Sequence, residues 1–134
     1  MSTGTVGYLD SPESTQLKEY DLPTPEQGDI LAEIVRANVC GSELHIWRGE
    51  HPHIQEGVLG HEALCRVTEL GGEVRDSAGR DLSPGDLVVP AYFATCGECE
   101  QCGRGHHRFC DNAYRYWSRA PDEWPHFHGT FASH

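Results

Sequence analysis

The sequence predicts a single, mainly β domain with short helices and a metal-binding lobe, and three observations predict it. Apolar residues recur at the two-residue period of strands in several short runs bounded by Gly, Pro and Asp turns. Helical signals are confined to short stretches. Cys96, Cys99, Cys102 and Cys110 converge within a glycine-rich, polar loop. With 134 residues, 37% hydrophobic and 9% aromatic, the chain suits one domain with a modest core.

The elements follow in order. Residues 6–9 and 17–22 read as two short strands joined by a turn at Ser11-Pro12-Glu13, and Pro23-Thr24-Pro25 ends the second. Residues 30–37 alternate Ile30/Ala32/Ile34 against Leu31/Glu33/Val35, which predicts a central strand. It runs into Asn38-Val39-Cys40-Gly41-Ser42, where Ser42 is placed to cap a short helix through Trp47 that stops at Gly49. Val58-Leu59-Gly60-His61-Glu62 leads into a strand reaching Leu70, with Ala63, Cys65 and Val67 on one face, so Cys65 reads as a small core residue. Gly71-Gly72 turns the chain, residues 74–83 form a hairpin excursion, and Pro84-Gly85-Asp86 turns into a buried strand at Leu87-Val88-Val89-Pro90. Residues 111–125 are aromatic and irregular, and Gly129-Thr130-Phe131-Ala132 starts a further strand.

The four cysteines of the lobe point to a structural zinc. Zinc takes four soft ligands at tetrahedral corners, and four thiolates leave no corner open for substrate. Two disulfides are the alternative, disfavoured by the strict three-residue spacing, and an iron–sulfur cluster is the other metal option. Four thiolates on one Zn²⁺ leave a doubly negative site, for which Arg104, Arg108, His106 and His107 are candidate donors to sulfur, if they are not simply a solvated loop.

Charge and composition exclude other classes. The net charge of −11, from 21 acidic against 10 basic residues, argues against a nucleic-acid partner. No basic-then-apolar leader opens the chain and no stretch is apolar for long enough to cross a bilayer, so no membrane partner and a cytoplasmic location are expected.

Cys40 and His61 also sit beside glycines at the ends of apolar runs, where turns can aim both into one cleft. Two such residues make half a metal site, and a lone histidine is more often hydrogen-bonded or solvated. Gly28-Asp29-Ile30-Leu31, Cys40-Gly41-Ser42-Glu43-Leu44-His45, Gly60-His61-Glu62, Gly85-Asp86-Leu87-Val88 and the four-cysteine lobe resemble, in this order and at matching spacings, the zinc-containing medium-chain alcohol dehydrogenases. The resemblance covers nearly the whole chain and implies a GroES-like catalytic domain, a partly open β-barrel, over residues 1–134. It implies that Cys40 and His61 hold a catalytic zinc with Glu62 as an adjacent, substitute ligand. Ser42 would hold the substrate oxygen and His45 would pass its proton to solvent, an imidazole being suited to that at neutral pH. A small alcohol or carbonyl compound is the implied substrate and NAD or NADP the hydride carrier. Trp47, Tyr92 and Phe93 are candidate pocket liners, although such residues are more often ordinary core. Without the resemblance, Ser42 reads as a plain helix cap and His45 as a surface residue.

Two departures qualify the resemblance. The family's third protein ligand to the catalytic zinc comes from later in the chain, and Asp122 and Glu123 are poor candidates for it. No nucleotide fingerprint is present, since Gly103-Arg104-Gly105 lacks the third glycine and lies inside the metal lobe. The expectation is therefore a truncated chain lacking the Rossmann half, inactive alone and free to form a homo-oligomer when full length. A stand-alone zinc-binding β-barrel with a binding or scaffolding role is the second reading.

Overall fold

The computed structural model describes residues 2–113 and 123–134. It is mainly strand, built as two open, antiparallel, three-stranded sheets with few short helices. The first sheet has the order β2-β1-β4, with β1 at Thr3–Ser11, β2 at Ser14–Asp21 and β4 at Gly57–Val58. The second has the order β3-β5-β6, with β3 at Ile30–Ala37, β5 at Ala63–Leu70 and β6 at Leu87–Val88. Helix α1 spans Gly41–Trp47, α2 spans Glu100–Gly103, and a 3₁₀ turn covers His107–Phe109.

The hairpin of β1 and β2 is longer than the apolar pattern suggests, because backbone pairing from Thr3↔Asp21 to Leu9↔Thr15 continues through polar positions. In β5 the alternation is legible: Ala63, Cys65 and Val67 are all buried, and burial raises the Cys65 thiol above its ordinary pKa. β5, not β3, is the middle strand of its sheet, so the expectation of a central strand at residues 30–37 is corrected. The run at 87–90 pairs only through Leu87–Val88, and Leu87 and Val89 are exposed, so it is not a buried strand. Apolar composition there outran the packing available to cover it.

Residues 129–134 form no strand beyond one bridge, Ala132 to Val6, yet they tie the two sheets together. Phe131 accepts from Gly7 N–H at 2.7 Å, Ser133 N–H donates to Thr5 at 2.8 Å, and the Ser133 carbonyl accepts from Ile34 N–H at 2.9 Å. One core cluster joins Val6, Tyr8 and Val58 with Tyr20, Phe127 and Ala132; a second joins Leu9, Ile46 and Leu59 with Trp47, Ile54 and Phe131. Trp47 thus serves the core. The excursion at 74–83 is a hairpin closed by the Arg75↔Asp81 bridge, and Arg80 and backbone N–H groups of the turn hold the Asp76 carboxyl below its usual range. Among the described residues no helix is long and apolar enough to cross a membrane.

Candidate metal centres

The register of one strand pair creates the first site. β3 and β5 pair to their very ends, with Ala37 opposite Ala63. The Asn38 N–H donates to the Glu62 carbonyl at 3.0 Å, continuing the ladder past the strands. The segments leaving the pair, Cys40 on one side and His61-Glu62 on the other, are therefore neighbours although 20 positions separate them in sequence. Gly60 makes the bend before His61 with φ +94°, and a Cβ there would lie 2.4 Å from Thr130 Oγ1 and 2.9 Å from the Phe131 nitrogen.

One ligand atom each from Cys40, His61 and Glu62 lie within 4.8 Å of one another. His61 Nδ1 is 2.5 Å from Glu43 Oε1. A carboxylate only accepts, so Nδ1 carries the proton and Nε2 keeps its lone pair for a metal. The other Glu43 oxygen accepts the Cys40 N–H at 2.6 Å. Glu43 is the one buried polar or charged residue among the described residues, 4% exposed, and it holds both neighbouring candidate ligands with one side chain. It escaped the sequence reading. Its signal was the capping-box spacing, an acceptor at the third helical position reaching back to the cap, disguised by a cysteine where Ser or Thr is usual. The cap of α1 is Cys40, and Ser42 lies inside the first turn, which corrects the reading of Ser42 as the cap.

Ser42 and His45 lie one turn apart on α1 and are both exposed. His45 Nδ1 is 2.5 Å from Glu50 Oε2, so it too is held as the donor tautomer. A cavity of about 620 Å³ borders His61 and is walled by Tyr92, Phe93, Trp124 and Phe127. The Tyr92 ring meets His61 edge-on, with centroids 6.1 Å apart. Glu123 is exposed, while Asp122 and most of the aromatic stretch at 111–125 lie outside the described residues.

The second centre is the cysteine lobe. Cys96, Cys99, Cys102 and Cys110 bring four sulfurs within 4.8 Å of one another. Cys110 Sγ is 3.6 Å from Cys96 Sγ and 4.0 Å from Cys99 Sγ. A disulfide would need about 2.05 Å. A tetrahedron of about 2.3 Å Zn–S bonds has edges of about 3.8 Å, so the spacing fits the ion. Backbone N–H groups surround the sulfurs: Cys96 and Asn112 donate to Cys110 at 3.3 Å, and Cys99 donates to Cys96 at 3.3 Å. Such donors bring the Cys96 thiol down to about 6, the Glu98 backbone contributing most, whereas desolvation pushes Cys102 up to about 12. Arg104 pairs with Glu100 and Arg108 lies over the Phe109 ring, so the backbone supplies the sulfur donors expected of these side chains.

The donor sets fit zinc differently. Four thiolates close a coordination sphere, whereas S, N and O from Cys40, His61 and Glu62 make three ligands and leave a position open.

The family model described as the alcohol dehydrogenase GroES-like domain matches residues 26–134. A zinc-type alcohol dehydrogenase B of Aspergillus flavus is 34% identical over 104 residues, covering 77% of this chain and 23% of the relative. An S-(hydroxymethyl)glutathione dehydrogenase of Escherichia coli is 34% identical over 96 residues, covering 71% of this chain and 25% of the relative. The crystal structure of an alcohol dehydrogenase from Thermotoga maritima superposes with a TM-score of 0.84 at 36% identity, over 100% of this chain and 38% of that one. The chain thus spans about a quarter of the length of these curated relatives. With its domain matched over residues 26–134, the chain belongs to the zinc-type alcohol dehydrogenase family through the GroES-like domain.

Proposed function

We propose that this chain is the metal-binding, substrate-activating part of a zinc-dependent oxidoreductase that moves hydride between a small alcohol or its carbonyl product and NAD or NADP. The observation that carries this reading is the convergence of Cys40, His61 and Glu62 beside a cavity, with both Cys40 and His61 fixed by one buried carboxylate. These three residues would hold the catalytic zinc and the cysteine lobe a structural one. A catalytic zinc supplies Lewis acidity, lowering the pKa of an oxygen bound to it.

The chain's own residues do the rest. Cys40 and His61 arrive preoriented, so neither has to be ordered when metal binds. Ser42 offers a hydroxyl that both donates and accepts, so its oxygen would take the proton of the substrate alcohol as its own hydroxyl proton passes on toward solvent. His45, with Nδ1 committed to Glu50, has Nε2 as the atom that receives a proton and releases it to solvent. Tyr92 and Phe93 give the cavity an apolar wall against which a substrate's carbon skeleton can pack. The acidic surface suits a small neutral substrate and not nucleic acid.

Zinc analysis tests the metal half of the proposal: the chain takes up two equivalents, and Cys40→Ala reduces them to one. The natural polypeptide is expected to reduce NAD or NADP in the presence of a small alcohol. A single zinc unaffected by Cys40→Ala, or a natural polypeptide without alcohol-dependent turnover, would leave the scaffold reading standing instead.

A further inference from the structure

Asn38 grips Glu62 at two points. Its backbone N–H donates to the Glu62 carbonyl at 3.0 Å, and its side-chain Nδ2 donates to Glu62 Oε2 at 2.7 Å. Because a carboxylate only accepts, the amide nitrogen must face it. Thr130 Oγ1 adds a 3.4 Å contact to the same Glu62 carbonyl. The main chain of Glu62 is thus fixed and one carboxylate oxygen is tethered. The other, Oε1, is 3.7 Å from His61 Nε2, the nitrogen left free for metal.

This tether matters because of where Glu62 stands. Its side chain is 45% exposed, and a solvated glutamate left to itself samples many rotamers, so its service as a ligand would carry an ordering cost. Cys40 and His61 avoid that cost through Glu43, whereas the partner that holds the Glu62 carboxylate is Asn38. An amide is well chosen for the task. It donates to the carboxylate without adding charge, and a carboxamide is a poor competitor for zinc beside thiolate and imidazole.

Building on the metal centre proposed above, we infer that Asn38 is a positioning residue that anchors Glu62 by one oxygen and thereby presents the other to the metal held by Cys40 and His61. Outer partners of this kind govern metal affinity by about 10–100-fold.

Cobalt(II) titration tests this without any enzymatic readout. The chain is first loaded with zinc at the cysteine lobe, and Co²⁺ is then added while its visible absorption is followed. Asn38→Ala is expected to weaken the second, cobalt-binding site by about 10–100-fold and to alter its spectrum, with the lobe zinc and the unfolding temperature unchanged. Asn38→Asp, of the same size but repelling Glu62, should weaken it at least as much. In a Glu62→Ala background, Asn38→Ala should have no further effect. Unchanged or tighter cobalt binding by Asn38→Ala, or an effect that persists in full without Glu62, would overturn the assignment of Asn38 alone. No cobalt uptake beyond the lobe in the unsubstituted chain would overturn the metal centre and this inference with it.

Discussion

Replacing Glu43 by Gln tests how the first site is held together. The carboxylate accepts from the Cys40 N–H at 2.6 Å and from His61 Nδ1 at 2.5 Å, and it is 4% exposed, so water cannot substitute for it. Glutamine keeps the shape but has one oxygen, so its NH₂ must face one of the two donors. If it faces His61, the ring must accept at Nδ1 and protonate Nε2, which removes the lone pair the metal needs. If it faces Cys40, a buried N–H loses its acceptor, a loss of about 1–3 kcal/mol. On the metal side, loss of an outer partner weakens binding about 10–100-fold, equivalent to about 1.4–2.7 kcal/mol. Glu43→Gln should therefore bind the second metal about 10–100-fold more weakly, measured by competition with a chromophoric chelator, while the lobe keeps its zinc. Thermal unfolding of the same variant without the second metal separates the two arrangements, a lower midpoint marking the one that orphans Cys40. Affinity within twofold of the unsubstituted chain, with an unchanged unfolding midpoint, would refute the claim that Glu43 holds Cys40 and His61 in place.

Cys99→Ala should lower the zinc content by one equivalent and reduce thermal stability, as the structural role proposed for the four-cysteine lobe requires; full zinc at an unchanged melting temperature would refute that role. Gly60→Ala should destabilise the fold by about 1–3 kcal/mol in denaturant titration, since its Cβ would press on the Phe131 backbone as well as Thr130 Oγ1 at a positive φ. A variant as stable as the parent would show that the bend before His61 is not tight. With Cys96 lowered to about 6 and Cys102 raised to about 12, the metal-free lobe at neutral pH holds a thiolate at Cys96 and a thiol at Cys102. Zinc must displace the Cys102 proton, so its affinity should rise with pH, and the heat of binding should depend on the buffer's ionisation enthalpy; a buffer-independent heat would contradict this.

What the sequence disclosed followed from local physics, and what it withheld depended on pairing. The alternation of Ala63, Cys65 and Val67 identified the buried face of β5, and the cysteine spacing identified the lobe, because both are patterns within one short segment. The order of β3 and β5 in the sheet, the exposure of Leu87 and Val89, and the tying role of Ser133 are set by what lies across a strand, which no local pattern records. The first metal site stands between these cases. Cys40, His61 and Glu62 were legible as candidates through their glycine neighbours and a family resemblance, but their meeting depends on register. Ala37 faces Ala63, with register shifts between Leu31 and Ala32 and between Ile34 and Arg36 that the composition does not announce. A slip of one residue would turn the side chains on one strand to the opposite face and break the ladder through Asn38 and Glu62. Asn38 was overlooked for the same reason, since it meets Glu62 only once that register is set. Glu43 reaches Cys40 within its own helix cap, a local signal disguised by the cysteine, but its contact with His61 waits on the same register.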